Sequence, residues 1–393
     1  MISHSPPPSS TPPIAGLLAA ATLLVMAIAT ISPALPGLAA RFADTPNVAL
    51  MTRYLVAAPA MSALLFSPFA GALCDRIGHG AMLRFGTLTF GVFGVAGLFL
   101  DRLDLILASR LLLGLSLAFV LTSQSALVGV HFAGDRRQRF LGWQVTARNL
   151  AGLVFVLAAG ILAGFTPRYA FAVYALTFVF LPIIWLAGRR PAQTAPRHGA
   201  PNLRATWLRP VFLLCLMQIL VLILFFTMPT QIPFALEERG YADPRLTSAS
   251  MAGLMIVGAI GGASFGTLMR HVGQRKTIAV GFGLFAVGFG VMLFSGLWPV
   301  FAGPSLVGAG YALLMASTAN IALSLAPTEH RGFAMGLLSS AIFLGQSVSP
   351  ALSTATIVAS GFSGLFACAC GIALACTLLS LLWVKPKLIT PSP

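Results

Sequence analysis

Uncharged apolar runs of about 20 residues alternate with short polar turns along nearly the whole chain. A helix of about 20 residues, rising about 1.5 Å per residue, crosses a hydrocarbon core of about 30 Å. On that criterion the sequence predicts twelve spans, at 14–40, 54–74, 82–101, 105–131, 143–165, 169–188, 211–236, 247–269, 277–297, 300–326, 333–359 and 363–384. An all-α membrane protein follows, because a helix satisfies its backbone polar groups within one segment where no water can reach them. The longest polar stretch, 189–210, is rich in Arg, Pro and Ala and separates the sixth and seventh runs. It predicts a cytoplasmic linker between a half at 14–188 and a half at 211–384. Residues 1–13, rich in Pro and Ser and free of Lys and Arg, read as a flexible tail and not as a signal peptide. Residues 385–393 form a second tail.

The two halves repeat each other. The turn Gly71-Ala72-Leu73-Cys74-Asp75-Arg76-Ile77-Gly78 recurs as Gly266-Thr267-Leu268-Met269-Arg270-His271-Val272-Gly273, with Gly, Leu and Gly each displaced by 195 positions in a chain of 393. A second echo links Arg137, five residues before Gly142, with Arg331, five residues before Gly336. The sequence therefore predicts two pseudo-symmetric bundles of six helices.

Composition agrees with the pattern: 58% of residues are apolar and 8% charged, with a mean hydropathy of +0.91. The net charge of +15 might suggest nucleic acid, but the Arg and Lys lie in short loops between apolar runs, so topology explains it. With both termini cytoplasmic, sixteen of the 24 Lys and Arg fall on the inner side and six on the outer side: Arg41, Arg53, Arg102, Arg168, Arg239 and Arg245. The five cysteines, Cys74, Cys215, Cys368, Cys370 and Cys376, lie in or beside apolar runs and read as small hydrophobes without metal spacing. No Gly-x-x-x-x-Gly-Lys-[Ser/Thr] loop is present. No cofactor or metal is expected, and no enzymatic site is visible.

Twelve spans in two halves, a central basic linker and the Gly-x-Leu-x-Asp-Arg-x-Gly turn at Gly71, Leu73, Asp75, Arg76 and Gly78 resemble the major facilitator superfamily, over residues 14 to 384. A second motif of that family, Arg-x-x-x-Gly, matches Arg110 and Gly114. The Thr-Gln-x-Pro segment at Thr230 to Pro233 and the Arg331 loop look most like its drug and sugar efflux branch. Where the family carries two further basic residues after the first turn, this chain has His79 and Gly80, while the second copy keeps Arg275 and Lys276. The resemblance implies a monomeric secondary transporter of the inner membrane, which rocks two halves about a central site. It makes the turn a conformational latch of Gly71, Asp75, Arg76, Gly78, Arg136, Arg137, Gly266, Gly273 and Arg275, with glycines allowing close helix ends and Asp75 accepting from the basic residues. The alternative is that the turn is only a positive-inside anchor.

Within the spans, Arg110 and Arg148 are the charged residues that need explaining, since an intramembrane cation is costly. Arg110 lies near the predicted outer end of its span, so snorkelling competes with a functional role. The resemblance links it to proton coupling. None of the nine acids lies at mid-membrane. If protons are coupled, the carboxylates at span ends, Asp75, Asp44 and Glu237, are the candidates, and His131 is the one histidine near a span interior. The missing carboxylate turns the expected cargo toward neutral, zwitterionic or anionic compounds. Prolines interrupt the outer ends of the first and seventh spans, at Pro33 and Pro36 and at Pro229 and Pro233, where the cavity of such a transporter is expected. Gln124, Gln218, Gln231, Asn320 and Gln346 are the candidate cargo contacts, with helix–helix hydrogen bonding as the alternative for each. Gly152, Gly160 and Gly164 share one helix face and predict close helix packing. The reading is an exporter of a small amphipathic compound, with a small organic anion importer or facilitator, or a non-transporting membrane sensor, as alternatives. Asp75→Asn is expected to cut transport with membrane insertion intact, measured as flux per inserted protein in proteoliposomes; wild-type flux would remove the latch.

Overall fold

The structure is a computed structural model that describes residues 14–132, 134–187, 206–327 and 330–382. The two tails and most of the 189–210 linker lie outside the described residues, as do the side chains of Asp75 and Arg137.

Ten helices are long and apolar enough to span a membrane. Two of them are double length, with 48 residues in Pro244–Val291 and 52 in Arg331–Leu382. At about 1.5 Å per residue each would be more than twice as long as a hydrocarbon core is thick. Each is broken by a glycine with non-helical backbone, Gly273 and Gly361, so each is two spans and the total is twelve. We number them α1 (Ile14–Arg41), α2 (Val48–Ile77), α3 (His79–Val95), α4 (Leu103–His131), α5 (Gly134–Ala163) and α6 (Pro167–Ala187). The second half comprises α7 (Leu208–Glu238), α8 (244–272), α9 (274–291), α10 (Trp298–Leu325), α11 (331–360) and α12 (362–382).

The apolar interior is divided by halves. One core runs from Leu17 to Ala187 and takes Phe226, with Phe225 and Phe234 packed against it, from the second half. Another runs from Val221 to Ala373 and takes only Val156 from the first. The repeat also governs packing. Gly114 on α4 lies against the backbone of Pro59 on α2, and Gly308 on α10 lies against the backbone of Leu254 on α8. These pairs are displaced by 194 and 195 positions. In each, a Cβ would collide with a backbone carbonyl.

Gly78 and Gly273 occupy the same place in the two halves, closing α2 onto α3 and α8 onto α9. Their backbones are at φ 104°, ψ 133° and φ 81°, ψ 165°, a region open in practice only to glycine. The expectation that latch glycines allow close approach is corrected here: a Cβ on Gly71, Gly78, Gly266 or Gly273 would meet nothing within 4 Å. Gly78 and Gly273 serve backbone direction instead. Alanine at either is expected to destabilise by about 1–3 kcal/mol, whereas Gly71→Ala and Gly266→Ala should leave thermal unfolding in detergent unchanged.

Candidate functional site

Helix breaks decide where the buried polar groups gather. Pro33 and Pro36 interrupt α1, which is helical to Ala29, passes through a 3-10 turn at Ser32–Ala34 and resumes at Leu35–Arg41. The last carbonyls of its first segment lack helical donors, and two are taken up by side chains. Arg110 Nη2 donates to the Ala27 carbonyl, and the Tyr174 hydroxyl donates to the Met26 carbonyl at 3.0 Å. Arg110 Nε donates to the Leu55 carbonyl at 3.1 Å, and its guanidinium lies 5.0 Å from the centre of the Tyr174 ring. Arg110 is fully buried, so snorkelling does not describe it. It ties α1, α2 and α6 to α4, and the negative end of the broken α1 takes the place of a carboxylate. Its Nη1 is buried with no hydrogen-bond partner among the described residues.

In α7, Pro233 has no N–H to give the carbonyl four residues back, that of Pro229. Ser32 Oγ donates to that carbonyl at 2.5 Å, so a break in one half is satisfied from the other. Nearer the C-terminal end of α7 than that bond stands Arg53. The sequence reading places it in an outer loop, but α2 begins at Val48 and Arg53 is buried. Its Nε donates to Gln231 Oε1 at 2.7 Å, its Nη1 donates to the Ala49 carbonyl at 2.7 Å, and its guanidinium lies 4.3 Å from the centre of the Phe234 ring. Gln231 Nε2 donates to Ser353 Oγ at 2.7 Å, and Ser353 Oγ donates to the Ser349 carbonyl at 2.7 Å. Arg53, Gln231 and Ser353 thus join α2, α7 and α11 across the two halves. On the same side, a Cβ at Gly160 of α5 would overlap Ser248 of α8, and one at Gly152 would press on Met255. This end, opposite Gly78 and Gly273, is closed.

The end that carries Gly78 and Gly273 differs. A cavity of about 390 Å³ opens between α2 and α11, lined by Leu64, Ser67, Phe333, Ser339, Ser340 and Phe343 among others. Arg76 and Arg136 are exposed there and form no ion pair among the described residues. Arg275 Nε donates to the Ser380 carbonyl at 2.8 Å, within its own half. The described members of the expected latch are therefore not gathered into one cluster.

The candidate cargo contacts separate in the same way. Gln124 Nε2 donates to the Leu17 carbonyl at 2.5 Å within the first half. Gln218 accepts from Thr318 Oγ1 at 2.7 Å within the second. Asn320 is exposed and donates to Gln274 Oε1 at 2.9 Å. Gln346 is buried, with its Oε1 lacking a partner among the described residues. Asp44 and Glu237 are exposed in the loops at the closed end, and His131 Nδ1 lies 2.8 Å from the Leu127 carbonyl. In the loops at the closed end, Arg168 Nη2 donates to Asp101 Oδ1 at 2.5 Å and holds that carboxyl below the usual carboxylate range. Arg148 Nε donates to the Ala21 carbonyl at 3.3 Å. The reading of sequence alone missed Arg53, Ser32, Tyr174 and Ser353. For Arg53 the signal was present, since a helix started at Val48 puts it inside a span.

The family model described as "Major Facilitator Superfamily" matches residues 17–274 and 246–393. The chain is 27% identical over 296 residues to "Tetracycline resistance protein, class E" of Escherichia coli, covering 70% of this chain and 71% of that protein. It is 22% identical over 308 residues to "Quinolone resistance protein NorA" of Staphylococcus aureus (strain MSSA476), covering 77% and 79%. A shorter match, 34% identical over 122 residues, is to "Multidrug resistance protein 2" of Bacillus subtilis (strain 168), and it spans 30% of each chain. Among solved structures, an auto-inhibited POT family peptide transporter superposes with a TM-score of 0.74 at 13% identity, covering 97% of this chain and 98% of that one. The nucleoside transporter NupG gives 0.72 at 9% identity, covering 95% and 99%. These two likenesses concern the fold.

Arg110→Ala is expected to lower stability by about 2–4 kcal/mol, because it strips donors from two buried carbonyls and a cation from the Tyr174 ring. Arg110→Lys should not restore it, since an ammonium lacks the planar fork. Unfolding of the detergent-solubilised variants checks both, and wild-type stability of Arg110→Ala would return this residue to a peripheral role.

Proposed function

As the chain belongs to the Major Facilitator Superfamily, we propose that it exports a small amphipathic organic compound by alternating access, as a proton-coupled secondary transporter. The observation that carries this reading is the asymmetry between the two ends. The halves are bonded through Arg53, Gln231, Ser353 and Ser32 at one end, and a cavity opens between α2 and α11 at the other. Halves bonded at one end and parted by a groove between α2 and α11 at the other support a reading as one state of an alternating cycle. The names of the relatives, which concern resistance to tetracycline, quinolones and multiple drugs, favour outward movement of such compounds. The excess of Lys and Arg near the Gly78 and Gly273 turns favours a cytoplasmic position for the open end, with the two halves at 14–188 and 211–384 as the moving bodies of this reading. The turns then serve as the latch of the opposite state, in which Asp75 and the basic residues near it close the cytoplasmic end.

Proton coupling lacks a mid-membrane carboxylate among the described residues, since Asp44, Asp101, Asp104, Glu237, Glu238 and Asp243 are all exposed. Three acids lie outside that set, Asp75, Asp135 and Glu329, and we assign the coupling role to Asp75 of the turn.

Proteoliposomes holding a pH-sensitive dye, challenged with cationic, neutral and anionic amphiphiles, test the function. Cargo-dependent proton movement is expected, and cargo flux without it would make the protein a facilitator. No flux of any cargo would overturn transport itself. Gln231→Ala is expected to lower turnover by roughly tenfold, because it removes the one side chain that bonds Arg53 to Ser353 across the halves. Unchanged turnover in that variant would show that this network does not close the outer end.

A further inference from the structure

Among the arginines within the spans of the described residues, Arg53, Arg84 and Arg110 are committed, Arg84 to the Gly80 carbonyl at 3.2 Å and to the Trp185 ring. Arg53 binds Gln231, Ala49 and the Phe234 ring, and Arg110 is sealed among Ala27, Leu55 and Tyr174. Arg148 differs. It is only partly buried, and its one hydrogen bond runs from Nε to the Ala21 carbonyl at 3.3 Å. Nη1 and Nη2, the two ends of the fork, have no acceptor among the described residues.

Tyr311 of α10, on the other half, is close enough to act electrostatically on the Arg148 guanidinium. The Tyr311 ring is stacked on Phe225 of α7, with centroids 3.8 Å apart and planes at 17°. One turn along α5, Gly152 meets Met255 of α8 and Val25 of α1, so the arginine lies where the halves face each other. A cation at this depth with no carboxylate near it is costly to keep. A ligand that brought its own negative charge would offset that cost during each transport cycle.

We propose that Arg148 and the Phe225–Tyr311 stack form the cargo subsite, and that the cargo class is an aromatic organic anion bearing a carboxylate. The free Nη1 and Nη2 match the two oxygens of a carboxylate in a bidentate pair. The stacked rings supply an apolar surface for the aromatic part of the same molecule. This assignment deepens the transport reading above and takes its purpose from it, but binding alone can test it.

The full-length chain in nanodiscs is titrated with naphthoate and with naphthamide, which keeps the ring and removes the charge. Wild type is expected to bind naphthoate at least about tenfold more tightly, the scale of a desolvated charge pair. Arg148→Gln should abolish that preference, and Arg148→Lys should keep part of it. Tyr311→Ala should weaken both probes alike, and Tyr311→Phe should preserve the charge preference. Thermal midpoints measured in parallel identify any variant that fails to fold, in which case wild type and Arg148→Lys decide. Equal affinity for the two probes, no binding of naphthoate, or an undiminished preference in folded Arg148→Gln would overturn the proposal. Charge-selective binding without flux of any cargo would leave this subsite standing and remove the transport reading. Flux of neutral cargo without charge selectivity would do the reverse.

Discussion

A backbone carbonyl left without a donor inside a membrane costs several kcal/mol, and the polar architecture of this protein follows from that constraint. Pro33 ends the first segment of α1, and Pro233 withholds an N–H from the Pro229 carbonyl. The exposed carbonyls at the first break recruit Arg110 and Tyr174, and the carbonyl at the second recruits Ser32 from the other half. A buried cation that has no carboxylate is tolerated because the last turn of a helix carries partial negative charge. The same device recurs at the end of α9, where Arg239 Nη2 donates to the Met292 carbonyl at 2.6 Å. Within the spans, arginine meets backbone carbonyls, and the arginines that pair with acids, Arg41, Arg102 and Arg168, lie in loops or at span ends.

The repeat organises the packing but not the chemistry. Gly114 and Gly308 hold matching close approaches, and Gly78 and Gly273 make matching turns. At the position 195 residues after Arg110, however, the chain has Ser305, whose hydroxyl bonds within its own helix to the Phe301 carbonyl at 2.7 Å. Arg53, Arg110 and Arg148 therefore all belong to the first half, and the second contributes a neutral acceptor and aromatic rings to two of them: Gln231 and Phe234 for Arg53, and Tyr311 for Arg148. A duplicated scaffold with unequal side chains can have equivalent motions and different roles for its halves.

The fold was legible in the sequence because spans depend on local hydropathy and the repeat on simple offset, and neither needs tertiary knowledge. The twelve spans and the turns at Gly78 and Gly273 belong to that class. The site was less legible. Arg53 lowered the hydropathy at the start of its own helix and so moved itself into a loop, and its partners Gln231 and Phe234 could be joined to it only by the meeting of halves. Ser32, Ser353 and Tyr174 have compositions common in any span, and their importance comes from distant carbonyls and amides. Gln124 and Gln218 show the converse: they are conspicuous in the sequence, yet in the structure their bonds stay inside single halves.

The strength of the closed end bears on whether it can open. A buried arginine paired with a carboxylate would be hard to separate, since breaking one such pair costs about 3–5 kcal/mol. Arg53 instead meets an amide oxygen, a backbone carbonyl and a ring, and the links from Gln231 to Ser353 and from Ser32 to Pro229 are neutral hydrogen bonds. At about 0.5–1.5 kcal/mol net for a neutral bond and about 1.5–3 for one to a charged group, the bonds that cross the halves sum to a few kcal/mol. The bond to Ala49 stays within α2 and need not break. A difference of that size is within what a ligand preferring one state can supply, so a contact in which Arg53 meets neutral partners suits a gate that must break and re-form in every cycle.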